Sequence, residues 1–310
     1  MRIAPPWNDA RTWLEERWGA PVARVGVDGG FSCPNRGWDQ GGGGCSFCSE
    51  TGNRPPYQED GQDIVWQIRS AKNFLKTRYG SKLFSLYFQS YSSTWAPTST
   101  LRSVYDLALA EGPFVDLTVG TRPDCVPDSV ADLLAGYQTA ERDVWVELGL
   151  QSANDSTLKR IGRGHGVQAY VEASERLRIR GLPFTTHVMF GLPGEGPGDF
   201  QETVNLAVAS GSSGLKFHDL ILLPGTRLHK DWEHGLIEPV NPELYLDAVA
   251  SALLSLPNSI VVWRVCSDPE DRQGPRPPGE KWPKNRFLNR LSAEILRRRS
   301  QLESGTTALP

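Results

Sequence analysis

Short apolar runs typical of β-strands alternate with helical segments along most of this 310-residue chain. Six such runs lie at residues 22–27, 83–89, 114–119, 144–150, 184–190 and 215–222. Alternation of this kind predicts a parallel sheet with crossover helices. Because six units are too few to close a full eight-stranded barrel, the pattern predicts an α/β fold: a partial (β/α)6 TIM-like barrel with parallel strands, open on one side.

The alternating region divides the chain into three parts. Residues 1–21 are predicted to form an N-terminal helical lead-in, and residues 22–235 the partial barrel. Residues 236–310 are predicted to form a C-terminal extension that contains a helix, a short strand, a loop and a final basic helix.

The C-terminal extension is rich in positive charge. Residues 276–299 hold eight Lys and Arg side chains and two Glu side chains, a net +6 in a chain whose net charge is −3. A patch of this kind is typical of contact with a polyanion such as nucleic acid. A basic helix face that is simply solvated is the other interpretation, and charge alone leaves both open.

Several features predict a cytoplasmic protein with no membrane partner. Pro5 and Pro6 interrupt the start of the chain, so no apolar leader segment is expected. No stretch approaches the roughly 20 apolar residues that a membrane span requires. Five cysteines in such a chain indicate metal binding or catalysis rather than a disulfide framework.

Polar residues lie within or directly after the predicted strands. In parallel barrels the chemistry takes place at the carboxyl ends of the strands, so these residues are expected to meet at one rim. They are Cys33, Cys45 and Cys48 after the first strand, Gln89, Ser90 and Tyr91 after the second, Arg122 after the third, Glu147 and Gln151 in or after the fourth, His187 in the fifth, and Lys216 and His218 in the sixth. Lys216 and His218 share one face of their strand because side chains alternate, and with His187 they are the predicted substrate contacts.

Cys33, Cys45 and Cys48 lie on one glycine-rich loop. Three thiolates can hold three corners of a [4Fe–4S] cluster and leave its fourth iron open to bind a substrate or cofactor. A structural zinc site is the alternative, but it needs four ligands. Only Cys45 and Cys48 form a Cys-x-x-Cys pair, and a fourth ligand would have to come from a distant residue such as Cys125 or His165. The spacing therefore favours an iron–sulfur cluster, while a zinc-stabilised nucleic-acid-binding protein stays as the second hypothesis.

A set of motifs in a fixed order gives this chain a specific resemblance. The motifs occupy residues 28–36, 44–48, 88–91, 121–125, 147–152, 163–165 and 190–195. They resemble those of the radical S-adenosylmethionine (SAM) enzymes, and more closely a bacterial family of uncharacterised members related to the radical SAM domain of the Elongator catalytic subunit, which acts on the wobble uridine of tRNA. The resemblance covers roughly residues 20–290.

This resemblance implies a role for most of the rim residues. Cys33, Cys45 and Cys48 would hold a [4Fe–4S] cluster whose open iron binds SAM. The implied SAM contacts are Gln89, Ser90 and Tyr91 near its amino group, Arg122 or Arg163 at its carboxylate, Glu147 at its ribose hydroxyls, Gly191, Leu192, Pro193 and Gly194 beside its adenine, and Gln151.

The resemblance also implies the reaction and the partners. A 5′-deoxyadenosyl radical derived from SAM would abstract a hydrogen atom from the substrate, with electrons from a flavodoxin- or ferredoxin-type donor. The implied substrate is a tRNA wobble-uridine derivative, bound with help from the basic C-terminal region; a small molecule or a peptide is the alternative. The chain departs most from the family around residues 264–269, and it leaves the roles of Cys125 and Cys266 unassigned.

Overall fold

The computed structural model describes residues 4–36, 44–48, 63–267 and 282–304. Within these residues the strands form one sheet, in chain order, and every neighbouring pair is parallel. The strands are β1 (Val22–Val27), β2 (Leu83–Phe88), β3 (Asp116–Thr121), β4 (Asp143–Gln151), β5 (Phe184–Phe190), β6 (Gly214–Asp219) and β7 (Val261–Arg264). The predicted parallel partial barrel is confirmed, and β7, expected in the C-terminal extension, joins the same sheet beside β6.

Helices connect the strands and cover the outside of the sheet. They are α1 (Ala10–Trp18), α2 (Ile64–Tyr79), α3 (Thr98–Leu109), α4 (Asp128–Ala135), α5 (Asp155–Arg160), α6 (Val167–Ile179), α7 (Pro197–Ala209), α8 (Arg227–Glu233), α9 (Pro242–Ser255) and α10 (Lys284–Glu303). Of these described helices, α8 is the one that the sequence pattern did not predict. Among the described helices, none is both long enough and apolar enough to cross a membrane.

Alternate residues of each strand face two different environments. On β2, Phe84 and Leu86 belong to the apolar core under the helices, whereas Tyr87 reaches across to a carboxylate on β4. On β6, Phe217 lies in the apolar core, and Lys216 contacts Tyr87 of β2. Since β2 and β6 are not neighbours in the sheet, these contacts must cross its concave side. The sheet is therefore curled into a half-barrel with an apolar outside and a polar inside.

The lead-in and the extension both pack against the barrel. The backbone N–H of Val262 on β7 donates to the carbonyl of Asn8, at 2.8 Å. The indole of Trp13 on α1 packs against the rings of both Trp145 and Trp263, with centroid distances of 5.4 and 6.5 Å. Residues from both ends of the described chain thus complete one structure with the predicted barrel.

Helix α10 packs on α9 through an apolar stripe. Phe287, Leu291 and Ile295 recur at helical spacing and are buried in the core cluster that includes Val249 and Leu253 of α9. This stripe fastens the extension to the barrel.

We expect Leu291→Ala to lower the free energy of unfolding by about 2–5 kcal/mol, because it leaves a cavity in a fully buried position. The matched control is Leu296→Ala on the same helix, whose side chain is exposed and should change stability by about 0.5 kcal/mol or less. Urea unfolding measures both. Equal effects of the two substitutions would contradict the packing described for α10.

Candidate active site

The cysteine loop begins just beyond the carboxyl end of β1 and is tied to two other elements. The N–H of Ser46 donates to the carbonyl of Ile161, at the end of α5 (2.8 Å), and the carbonyl of Ser46 accepts from the N–H of Leu228 on α8 (3.0 Å). Cys45 is buried, and Cys33 and Cys48 are partly exposed. The loop therefore presents its thiols at the rim where the strands end, as the sequence predicts.

Three side chains donate hydrogen bonds to the cysteine sulfurs. Asn35 Nδ2 and Arg163 Nη1 each lie 3.4 Å from Cys45 Sγ, and Arg36 Nη2 lies 3.2 Å from Cys48 Sγ. Sequence reasoning missed Asn35 and Arg36 as site residues. The available signal was their position, directly after Cys33 and its proline in the same motif.

The surroundings of Cys45 and Cys48 shift the pKa values of their thiols in opposite directions. Burial raises the pKa of the Cys45 thiol, but the guanidinium groups of Arg163 and Arg122 outweigh it, so the net pKa of Cys45 is lowered. For Cys48 burial prevails over the opposing charge of Arg36, and its pKa is raised. Cys33 and Cys45 also act electrostatically on Cys48, which shows that the three thiols are neighbours.

The surroundings of the cysteine sulfurs fit an iron–sulfur cluster, because side chains donate hydrogen bonds to them. Among the described residues, no three His, Cys, Asp or Glu side chains form a ready-made site for a single metal ion. Hydrogen-bond donors around the sulfurs are also a usual feature of such clusters.

Several predicted SAM contacts carry unsatisfied polar atoms. Ser90 Oγ, Gln151 Oε1 and Arg163 Nε are buried and have no hydrogen-bond partner. Unpaired buried polar atoms also occur elsewhere in the described chain, on Trp145 and Ser174, but these three coincide with predicted SAM contacts and can meet polar groups of a ligand there. Gln89 lies at the same rim, where its N–H donates to the carbonyl of Val27 at the end of β1.

Two of the predicted SAM contacts also have strained backbone conformations. Tyr91 and Gln151 have φ angles of 53° and 76°, and they are the non-glycine residues with positive φ in the described part of the chain. Such conformations are uncommon outside glycine and are often found at functional sites. Gln151 and Arg163 also meet over Gly149, where an added Cβ would stand 2.8 Å from Gln151 Nε2 and 2.5 Å from Arg163 Nη2.

Arg122 already holds a carboxylate within the protein. Its Nε and Nη2 donate to the two oxygens of Asp124, at 2.9 and 2.7 Å, and its Nη1 donates to the carbonyl of Arg163. The bidentate face that a SAM carboxylate would require is thus occupied by Asp124. Arg163 is the remaining candidate of the two, and its contact with SAM stays a prediction.

Glu147 is the centre of a buried polar network inside the barrel. Its Oε1 accepts from Arg24 on β1 (3.1 Å), and its Oε2 accepts from Tyr87 on β2 (2.6 Å), His187 on β5 (2.7 Å) and Lys216 on β6 (2.7 Å). A carboxylate has about four acceptor positions, and four donors contact this one, three of them on Oε2. Glu147 thus serves the protein's own network, and its predicted contact with ribose hydroxyls stays a prediction.

Burial and the contacts within the network shift the pKa values of its members and so determine which of them are charged. Burial opposes ionisation of Glu147, but Lys216, His187 and Arg24 together hold its pKa well below the usual range. Burial is the largest influence on Lys216 and lowers its pKa to about 8. Burial also lowers the pKa of His187 to about 4, so its imidazole is neutral near pH 7.

The three predicted substrate residues occupy two levels of the barrel interior. Lys216 and His187 lie at one level, since β5 and β6 pair them in register and both contact Glu147 Oε2. His218 lies at the next level towards the strand ends, with its ring centroid 5.1 Å from that of His187. The structure brings the three together, as their strand positions predict. Their contact with a substrate stays a prediction.

The predicted adenine-side turn, Gly191, Leu192, Pro193 and Gly194, lines a cavity of about 330 Å³ together with Leu220 and Val240. Gly191 has a φ of +86°, and an added Cβ would stand 1.6 Å from Val240 Cγ2. Phe47, Met189 and Leu192 belong to one apolar cluster. Phe47 of the cysteine loop thus packs against apolar side chains on this side of the rim.

The basic C-terminal helix carries less free charge than its sequence indicates. Arg290 pairs with Glu243 of α9, Arg298 pairs with Asp247 of α9, and Arg297 pairs with Glu294 on its own helix. Arg276 and Lys281, part of the predicted basic patch, lie outside the described residues. At least three of the six basic side chains in the described part of the patch are therefore paired with acidic side chains.

Comparisons with known proteins agree with these observations. A family model for the radical SAM superfamily matches residues 39–207, and a model for the radical SAM C-terminal domain matches residues 212–297. Protein YhcC of Escherichia coli (strain K12) is 38% identical over 252 residues, 81% of this chain and 80% of that protein. Elongator complex protein 3 of Drosophila melanogaster is 29% identical over 161 residues, 50% of this chain and 28% of that protein.

A solved structure shares the fold. The archaeal Elp3 of Methanocaldococcus infernus, lacking its N-terminus, superposes with a TM-score of 0.64 at 17% identity. The match covers 89% of this chain and 63% of that one. At this identity the likeness concerns the fold alone, and it confirms the partial-barrel architecture.

We expect Glu147→Gln to lower the free energy of unfolding by about 3–5 kcal/mol, because it leaves the buried charge of Lys216 and the partly exposed charge of Arg24 without their counter-ion. Adding Lys216→Met should recover part of this loss, with a coupling of about 0.5–3 kcal/mol in a double-mutant cycle. Urea unfolding of the single and double variants measures it.

The control for this prediction is Glu172→Gln, which removes an exposed carboxylate that pairs with Arg176 on α6. It should change stability by about 0.5 kcal/mol or less. If Glu147→Gln costs no more than Glu172→Gln, the network does not hold the barrel together.

Proposed function

The chain belongs to the radical SAM superfamily of enzymes, and from this premise we propose that it holds one [4Fe–4S] cluster and abstracts a hydrogen atom from its substrate. The observation that carries the proposal is the rim of the barrel. Cys33, Cys45 and Cys48 meet there, beside the unsatisfied polar atoms of Ser90 and Gln151. When bound, the cluster supplies the electron that cleaves SAM into methionine and a 5′-deoxyadenosyl radical.

Different residues of the chain bind the cluster, orient its ligating side chains and exclude water. The three cysteines hold the cluster, and Asn35, Arg36 and Arg163 donate hydrogen bonds to their sulfurs. These bonds fix the directions of the ligating side chains before a cofactor arrives.

SAM binds in this proposal between the cysteine loop and the ends of β2 and β4. Ser90 Oγ and Gln151 Oε1 become satisfied by its polar groups, and Arg163 Nε is placed for its carboxylate. The apolar cluster of Phe47, Met189 and Leu192 excludes water from one side of this space. Exclusion of water protects a reactive radical from side reactions.

The protein requires a one-electron reductant, and we propose a donor of the flavodoxin or ferredoxin type. Such a donor must approach within electron-transfer distance of the cysteines. Cys33 and Cys48 are the partly exposed members of the set, so the surface around them is the proposed docking side.

We propose a tRNA wobble-uridine derivative as the substrate, and a small molecule or peptide as the alternative. The sequence similarity to Elongator complex protein 3, which covers half of the chain, and the shared order of motifs support tRNA. The pairing of Arg290, Arg297 and Arg298 with acidic side chains reduces the electrostatic support that the C-terminal helix can give. Among the described residues of α10, Arg286 and Arg299 are exposed and are the proposed phosphate contacts.

We expect anaerobically reconstituted protein, treated with dithionite and SAM, to produce 5′-deoxyadenosine. Cys33→Ala, Cys45→Ala and Cys48→Ala should each abolish both the cluster absorbance and the product. Cys125→Ala, which removes a buried thiol near the same rim, should leave both in place.

Two outcomes would count against this function. A spectroscopically intact cluster that yields no 5′-deoxyadenosine would remove the catalytic claim. Stoichiometric zinc without iron after anaerobic purification would favour the zinc-stabilised nucleic-acid-binding protein instead.

For the tRNA substrate, we expect a gel shift with bulk tRNA that weakens as salt rises, because phosphate contacts release counterions. Arg286→Gln combined with Arg299→Gln should weaken binding and reduce the salt slope by about 1 for each phosphate that no longer meets an arginine. Arg178→Gln on α6, an exposed arginine paired with Glu175, is the control and should have no such effect.

The complementary measurement is the mass of wobble-position nucleosides in tRNA from cells that lack the gene. An unchanged nucleoside profile, together with no gel shift at low salt, would direct the search to small molecules and peptides.

A further inference from the structure

Arg36 is held in place by contacts on two sides. Its guanidinium carbon lies 5.2 Å from the centroid of the Tyr91 ring. On another side it lies against Gly44, where an added Cβ would stand 3.2 Å from Arg36 Nε and 3.3 Å from its Cγ. Gly44 itself has a φ of +67° and donates its N–H to the carbonyl of Asn35. The arginine is thereby aimed at Cys48 Sγ, 3.2 Å from its Nη2.

Arg163 is held in place by contacts with Gly149 and Arg122. Its side chain is buried, and its Nη2 donates to the carbonyl of Gly149 at 2.7 Å. An added Cβ at Gly149 would stand 2.5 Å from that Nη2, so the arginine fits because residue 149 is glycine. Arg122 holds the backbone carbonyl of Arg163. A second guanidinium nitrogen, Nη1, lies 3.4 Å from Cys45 Sγ.

The two arginines make the environment of the three sulfurs unequal. Cys45 and Cys48 each receive a charged donor. Within the described ranges, no side chain donates a hydrogen bond to Cys33 Sγ. Arginine stays charged at any pH that a protein tolerates, so these two positive charges are permanent features of the rim.

Permanent charges at hydrogen-bonding distance from ligating sulfurs have a direct effect on a redox centre. Reduction adds one electron, and therefore one negative charge, to the cluster without the need for a proton. Hydrogen bonds to the sulfurs and nearby positive charge stabilise the reduced form and raise the reduction potential. The effect is strong where water is excluded, because screening is weak there.

We propose that Arg36 and Arg163 are positioning residues that set the reduction potential of the cluster through the sulfurs of Cys48 and Cys45. The inference rests on the proposed function, since it requires that a cluster be bound. It assigns to these arginines a role that is distinct from contact with SAM: they make the cluster easier to reduce by a cellular donor. Gly44 and Gly149 contribute to this role, because the absence of a Cβ at each position gives the guanidinium groups room to approach the cysteine sulfurs.

The test is an electrochemical titration of the reconstituted protein without SAM, followed by electron paramagnetic resonance of the reduced cluster. We expect Arg36→Gln to lower the midpoint potential, with about a tenfold smaller equilibrium constant for reduction, equivalent to about 59 mV for one electron. Arg36→Lys keeps the charge but loses the planar fork, and it should give a smaller shift. Arg163→Lys should shift the potential in the same direction as Arg36→Lys.

The control is Arg227→Gln. Arg227 lies near the same loop and donates to the carbonyl of Arg160, but it touches no sulfur among the described residues. Its substitution should leave the potential unchanged. A control that shifts as much as Arg36→Gln would show that the effect is one of general charge, and it would overturn the inference.

The remaining outcomes separate this inference from the proposed function. Wild-type protein that assembles no cluster would remove the proposed function itself. Arg36→Gln and Arg163→Lys that bind a full cluster at the wild-type potential would overturn the inference and leave the function standing. If Arg163→Lys fails to fold because residue 163 is buried, Arg36→Gln and Arg36→Lys still test the inference. Each of them changes one partly exposed side chain at the rim.

Discussion

The carboxylate of Glu147 is the point on which the interior of this barrel depends. It takes hydrogen bonds from four different strands, two of the donors cationic and two neutral. A buried charge without such partners would be very costly. The sheet can be polar on its concave side because Arg24 and Lys216 bring compensating charge across the barrel to the same carboxylate. The contacts that cross the concave side of the curved sheet are therefore the same contacts that compensate the charge of Glu147.

The Glu147 network and the cysteine rim lie on the same strands. Glu147 and Gly149 follow each other on the inward face of β4, so the strand that carries the network also gives Arg163 its place beside Cys45. Both carboxylate oxygens of Glu147 are hydrogen-bonded inside the barrel, whereas Ser90 and Gln151 at the rim hold unpaired atoms. The network thus supports a rim at which these two side chains can still meet a ligand.

Most of the fold could be predicted from the sequence, because each strand has an apolar outer face and each helix an apolar stripe. The strands were placed to within a few residues. The sequence did not reveal that β7 joins the sheet, since a strand's pattern does not name its partner. The charge of α10 was misleading for a similar reason: Glu243 and Asp247, which neutralise two of its arginines, lie on another helix.

The site was predicted less completely than the fold. The cysteines were recognisable from their spacing alone. The role of Glu147 depends on donors from four strands, and the roles of Asn35 and Arg36 depend on how the loop bends back on itself, so neither could be deduced from the order of residues.

The anchoring of the cysteine loop has a consequence for how the protein matures. Ser46 is held by Ile161 and by Leu228, which emerge from the ribosome long after Cys33, Cys45 and Cys48. During synthesis the three thiols therefore emerge before the groups that anchor their loop exist. If the loop holds the proposed cluster, we expect its assembly to follow translation, after α8 has reached the loop.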